Sequence, residues 1–235
     1  LYKNDIISSN VPAAEVAISP DTYERWASAS GTMQARFQTS TSTINAVGIA
    51  AHNLGSRNST VQIETAPTVA GTFTTRATIT PETDKPLFVT FDSTTVADVR
   101  ITITNGTNRE VGVIYAGTAL VLQRAIFAGH SPVDLSSVTE YRNATSDTGN
   151  FLGRRIRRQG FSTSFNWSNI VDFWYRENFQ PFVESAKETP FFIQWRPDYY
   201  ADEVAYGQTT GDISPQNQGG TTRMMSVSFN FIGYA

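Results

Sequence analysis

Two histidines, His52 and His130, and two groups of carboxylates, Glu184 with Glu188 and Asp198 with Asp202 and Glu203, are the side chains best suited to acid–base or metal chemistry. Neither histidine has another histidine or a carboxylate at metal-ligand spacing, so no zinc site is expected. Each is read instead as a turn or domain-junction residue making hydrogen bonds. Glu184 and Glu188 stand about one helical turn apart and should face solvent, while the Asp198 group falls in a loop, where Asp commonly builds turns. Paired carboxylates cleave glycosides only when the fold sets their separation, and no spacing here marks such a dyad. The chain has no cysteine, which removes thiolate nucleophiles, thiolate metal sites and disulfides. It also lacks a Gly-x-Ser-x-Gly elbow, a phosphate loop and a dinucleotide fingerprint. These residues imply a protein that is not an enzyme and that needs no cofactor and no metal.

The stretch "FLGRRIRRQGFSTSF" (Phe151 to Phe165) places Arg154, Arg155, Arg157 and Arg158 within five positions of a chain whose net charge is -3. On a strand, Arg154 and Arg158 would share one face with Ile156, and Arg155 and Arg157 the other. Three readings compete. The first is a solvated charged edge that discourages unwanted strand pairing. The second is a nucleic-acid contact, which the acidic balance and the lack of an aromatic-interleaved basic groove disfavour. The third is a subunit interface in which the planar guanidinium meets a neighbour's carboxylates. The motif Asn-x-Ser/Thr begins at Asn58, Asn105, Asn143 and Asn166, as chance provides in a chain rich in these residues.

The elements that must carry these groups are short and mostly extended. The 235 residues suffice for two ordinary domains or one large β domain. Only 17% of them are charged, and no apolar run is long enough to span a bilayer as a helix, so no membrane insertion is expected. "LYKNDIISSNVP" has no secretion-signal layout, and a start at Leu1 suggests that a short N-terminal piece precedes it. Up to Arg124, apolar residues alternate in short segments. Met33, Ala35 and Phe37 share a face, as do Val99, Ile101 and Ile103, the pattern of an antiparallel sandwich or jelly roll. "PLFVTFD" and "DVRITIT" read as two strands, and Asn105-Gly106 as a turn. From Ala125 to Asn150 the periodicity fades into linker and loop, with one strand near Thr139 to Arg142. A helix is expected over 168–187, capped by Ser168, with Ile170, Val171, Phe173 and Trp174 as its apolar stripe and Pro181 as a break or kink. Tyr199 to Gly220 reads as one long loop, and "RMMSVSFNFIGY" as a final strand with Met225, Val227, Phe229 and Phe231 inward. The fold class is all-β with one flanking helix, in two domains, 1–124 and 125–235.

Two sets of phrases carry a resemblance. "INAVGIAAHNLGSRNSTVQIE", "PLFVTFD", "VRITIT" and "VGVIYAGTALVLQR" resemble the galactose-binding-like jelly roll of virion proteins in tailed bacteriophages. "GHSPVDLS", "FLGRRIRRQG", "WYRENFQPFVESAKETPFFIQWRPD", "EVAYGQTTGDISPQNQGG" and "MSVSFNFIGY" resemble phage tail proteins of the distal-tail type, whose tail-tube-like β-sandwich builds a ring at the tail tip. The resemblance implies a non-catalytic virion component, assembled in the host cytoplasm. Its expected form is a homo-oligomeric, hexameric ring joining tube to hub or fibres, with Arg154, Arg155, Arg157 and Arg158 at the subunit contact. Distal tail proteins usually carry the tube-like domain first, whereas here the jelly roll leads, which leaves the station in the tail open. The alternative function is a carbohydrate-binding module that contacts host-surface glycans. Trp26, Asn53 and Arg57 are its candidate contacts by loop position, although Trp26 equally suits a core plug and "HNLGSRN" a plain turn.

Overall fold

The computed structural model describes residues 5–10, 13–69, 71–126, 129–219 and 223–234. It is all-β with one helical segment, and it divides into two compact units, residues 1–119 and 120–235.

Unit 1 holds seven strands: β1 (Asp5–Ser9), β2 (Trp26–Ser28), β3 (Met33–His52), β4 (Thr60–Ala66), β5 (Thr74–Ile79), β6 (Leu87–Thr104) and β7 (Arg109–Gly117). Two of them are long, and each serves both layers of a sandwich. The first part of β3, Met33 to Gln38, pairs with β1 and with Asp98 to Ile103 of β6; β4 and β5 extend that layer. After register shifts near Ser42 and Ala46, the rest of β3 pairs with the start of β6 and with β7, and β2 adds to β7. Bulges bend a strand, which lets one chain turn from one layer into the next. "PLFVTFD" and "DVRITIT" are therefore halves of the single strand β6.

The alternation read from sequence sets the core. Met33, Ala35, Phe37, Val61, Ile63, Val99, Ile101 and Ile103 face Val47, Ile49 and Val111 in one buried cluster, closed by Ala14 and Ala17 of a 3-10 turn (Ala14–Ile18). On the outer face of the first layer, Arg36 Nε lies 2.9 Å from both carboxylate oxygens of the fully buried Asp98. Arg100 grips Glu64 through two hydrogen bonds of 2.7 and 2.8 Å, with the Phe73 ring 4.0 Å from its guanidinium carbon. Each carboxylate raises the pKa of its arginine partner through that hydrogen bond.

Unit 2 is an antiparallel sheet in the order β10 (Phe191–Gln194), β11 (Val204–Thr209), β13 (Met224–Tyr234), β9 (Phe151–Val171), β8 (Ser137–Thr145), with β12 (Ser214–Asn217) also on β13. The stretch expected as one loop from Tyr199 to Gly220 thus contains β11 and β12, and the expected strand near Thr139 spans the whole of β8. A helical segment packs on one face of the sheet: α1 (Asp172–Trp174), a π-helical turn (Tyr175–Phe179) and α2 (Gln180–Ala186). Pro181 has no N–H to donate back to the carbonyl four residues earlier, and the wider turn just before it carries the helix past that gap. The core is aromatic. Phe165, Trp167, Tyr175, Phe179, Phe229 and Phe231 are buried together, with Trp167 and Phe229 centred 5.4 Å apart. Leu120, Leu122 and Ile126, expected in the last strand of the first series or just beyond it, lie after β7 and pack on this second core.

The helix begins later than expected. Ser168, Asn169 and Ile170 belong to β9, so Ser168 is no helix cap, and Phe173 is 63% exposed rather than part of an apolar stripe. Asn169 adopts φ 61 beside a register shift against β13. That bulge buries Trp167 and Ile170, three residues apart, from within a strand.

Candidate functional site

The arginine stretch occupies the first half of β9, which is paired there with β8 alone. The hairpin is exposed along both strands from Val138 to Gln159, apart from a few half-buried positions. Five arginines (142, 154, 155, 157 and 158) stand against two carboxylates, Glu140 and Asp147. The register pairs Glu140 with Arg158 and Tyr141 with Ile156, leaving Arg157 as the extra residue of a bulge. Strict alternation of the arginines between two faces therefore breaks at Arg157, whose guanidinium reaches Glu140 Oε1 at 2.8 Å. Arg154 donates to Asn143 Oδ1 at 2.8 Å and lies 4.5 Å from the centre of the Tyr141 ring. Arg155 sits opposite Arg142, a like-charge pair that costs stability. Among the described residues, neither Arg155 nor Arg158 has a side-chain ion pair.

Apolar surface is exposed on the same hairpin. Tyr141, Phe151, Leu152 and Ile156 are 48%, 66%, 67% and 53% exposed. At its root, Val138, Glu140, Arg158, Gly160, Ser162 and Ile232 line a shallow groove of about 320 Å³. Gly233 and the Phe161 ring that lies over it complete the lining.

The loop end of unit 1 holds the three residues expected to face a glycan. The structure removes one. Trp26 lies on β2 and is fully buried in the core, so it plugs the sandwich and offers no ring to solvent. Asn53 spends both ends of its amide on the fold: Oδ1 accepts the Glu110 N–H at 2.8 Å, and Nδ2 donates to the Asn108 carbonyl at 2.9 Å. Arg57 is exposed, on a turn whose neighbour Ser56 donates its N–H to Asp84 at 2.8 Å. Asn105, Gly106 and Asn108 all take positive φ (59, 67 and 50), and Gly106 approaches the Arg57 carbonyl so closely that a Cβ has no room there. Sequence reading missed Arg109, fully buried with no carboxylate partner among the described residues, which donates to the carbonyls of Ile103 (2.9 Å) and Gly31. Burial lowers its pKa.

The histidines and carboxylates do not converge. No group of three or more metal-ligating side chains forms among the described residues. His52 is buried under the same loops. Its Nδ1 accepts the Leu54 N–H at 3.2 Å, and burial drives its pKa down to about 4, with the Asp84 charge and the Lys85 backbone opposing. His130 was expected to make hydrogen bonds, but neither ring nitrogen has a partner among the described residues; it packs edge-on to Trp195, 4.7 Å away, and near Phe165. Glu184 pairs with Lys187 at 2.7 Å, Glu188 lies past the end of α2, and Glu203 accepts the Trp195 indole N–H.

No family model matches the sequence, and no curated protein matches it. Solved structures of similar shape cover about half of the chain. The chitosan-binding module 1 from a Paenibacillus sp. IK-5 chitosanase/glucanase is 18% identical over 48% of this chain and 94% of its own, with a TM-score of 0.42. The CBM32 of AlyQ, in complex with 4,5-unsaturated mannuronic acid, is 23% identical over 50% and 98%, with a TM-score of 0.41. The Clostridium perfringens module CpGH89CBM32-5, in complex with GalNAc-beta-1,3-galactose, is 11% identical over 49% and 94%, with a TM-score of 0.41. At such identities and scores, what those modules bind is a property of those modules.

Proposed function

We propose that this protein is a non-catalytic structural component that joins copies of itself through the β8–β9 hairpin. The observation that carries the reading is the hairpin's exposure on both faces, with apolar side chains beside Arg155 and Arg158, which have no ion pair among the described residues. A two-stranded ribbon is marginal in water by itself and gains stability when another surface covers it. The guanidinium groups of Arg155 and Arg158, which have no ion pair among the described residues, suit a partner's carboxylates. Together with the resemblance of its sequence phrases to distal tail proteins, this supports a ring in the tail tip of a tailed bacteriophage, in contact with tube, hub or fibre proteins. The virion is then its location.

A second reading, glycan contact by the loop end of unit 1, rests on Arg57. Its exposed guanidinium sits on a braced turn, and Asn53 contributes only as the brace.

Light scattering on the purified protein, and on an Arg155→Glu/Arg157→Glu variant, tests the first reading. Assembly at low salt that weakens as salt rises, and is lost in the folded variant, supports it. A monomer at every salt, or unchanged assembly in the variant, sinks it. Weaker binding of a host polysaccharide by Arg57→Ala would favour the second reading.

A further inference from the structure

The loop between β10 and β11, "WRPDYYADE" (Trp195 to Glu203), carries side chains that neither reading above uses. It is braced from within. The N–H groups of Tyr199 and Tyr200 both donate to the Arg196 carbonyl, at 3.2 and 2.8 Å. Gln194 Nε2 donates to the Ala201 carbonyl at 2.7 Å, and the Trp195 indole donates to Glu203. Trp195 is held edge-on by His130 and stacks on Tyr200, with centroids 5.8 Å apart and planes 20° from parallel. Arg196 lies 4.9 Å from the centre of the Tyr199 ring. Despite this bracing, Tyr199 is 75% and Tyr200 50% exposed. Tyr200 is held against Trp195 and Tyr199 lies beside Arg196, and both rings are left in water.

We infer that this loop is a glycan-binding site for neutral or amino sugars. A pyranose ring offers a flat C–H face with hydroxyls at its edge. An exposed aromatic ring rimmed by carboxylates and a guanidinium matches that, apolar against apolar and polar against polar. The polar groups are close by in the loop: Asp198 and Asp202 are exposed and have no ion pair among the described residues, and Arg196 stands beside Tyr199. The carboxylates outnumber the arginine, which disfavours uronates and sulfated sugars. Tyr, Trp and Arg also suit protein contacts, but the three carboxylates of the loop do not. The centre of a protein interface is depleted of Asp and Glu, and residues 196–203 contain no Leu, Ile, Val or Met. The site needs one copy of the chain only, so it stands independently of self-assembly and of Arg57.

Titration calorimetry of the full chain with hexamers of glucosamine, N-acetylglucosamine and galacturonic acid tests it. One or both of the first two should bind with Kd on the order of 0.1–1 mM. Tyr199→Ala and Tyr200→Ala should each weaken that binding about tenfold or more, a difference of about 1.4 kcal/mol per tenfold. Tyr199→Phe, Tyr200→Phe and Arg57→Ala should keep it, and the Phe variants show that the ring and not the hydroxyl is read. The inference is overturned if neither neutral nor amino hexamer binds, if binding survives the double Ala variant, or if it follows Arg57 instead. Equal affinity for the galacturonate hexamer overturns the charge preference. A double variant that binds no sugar, but whose self-association by light scattering is lost, makes the loop a protein contact and also overturns it.

Discussion

The ring of Phe161 lies over Gly233, its partner on the neighbouring strand, and fills the space that a Cβ at position 233 would need. The glycine therefore works as a socket for an aromatic side chain across an antiparallel pair. Gly233→Ala should overpack this contact and cost about 1–3 kcal/mol in urea unfolding. Phe161→Leu in the same background should recover part of the loss. No loss from Gly233→Ala would show that the ring moves aside freely.

The ion pairs on the outer face of unit 1 differ in burial, and their loss should differ accordingly. Asp98 has no exposure, while the Arg36 side chain keeps 24%. Asp98→Asn should destabilise by about 3 kcal/mol, at the low end for a broken buried pair because Arg36 still reaches water. Glu64→Gln should cost less, since both partners of the Glu64–Arg100 pair retain some exposure. Urea midpoints of the two variants measure the order, and an equal cost would contradict it.

These pairs bear on how much could be read beforehand. Met33, Ala35 and Phe37, and Val227, Phe229 and Phe231, were legible because a half-buried strand alternates and theirs do so without interruption. Trp167 and Ile170 were not. The bulge at Asn169 gives a strand the three-residue burial spacing of a helix, so the pattern mimics a helix that starts before Asp172. Gly207 had the look of a turn residue in a long loop. It sits inside β11 because the backbone of Ile232 comes too close to admit a side chain. For the candidate site, the run of arginines was visible, but Arg157's partner depends on a bulge and Trp26's burial on the sandwich closing over it. Neither leaves a local trace in composition.

His52 makes stability depend on pH. Its pKa is about 4 in the fold and near 6.5 in an unfolded chain, so on acidification the unfolded chain takes up the proton first. The contribution is complete above about pH 6.5 and is lost as pH falls toward 4, a total on the order of 3 kcal/mol. His52→Asn keeps an acceptor for the Leu54 N–H but has nothing to titrate. Its urea midpoint should fall less than that of the unaltered protein between pH 7 and pH 4.5. Parallel curves would assign the acid sensitivity to other groups.

The ion pair between Arg157 and Glu140 on the hairpin should matter little to the folded monomer. Arg157 and Glu140 are 73% and 51% exposed. Glu140→Gln should change the thermal midpoint by no more than a degree or two, in keeping with the small worth of exposed pairs. Differential scanning calorimetry at low concentration checks this, and a large drop would mean that the hairpin braces its own unit.

Because β3 and β6 each pass through both layers of unit 1, those layers are not two plates held together only by side chains. Pulling one layer away from the other would have to straighten or unzip strands common to both, so the load runs along covalent backbone. Such a sandwich should resist mechanical splitting better than one whose sheets share no strand, a property useful to any part that must bear tension.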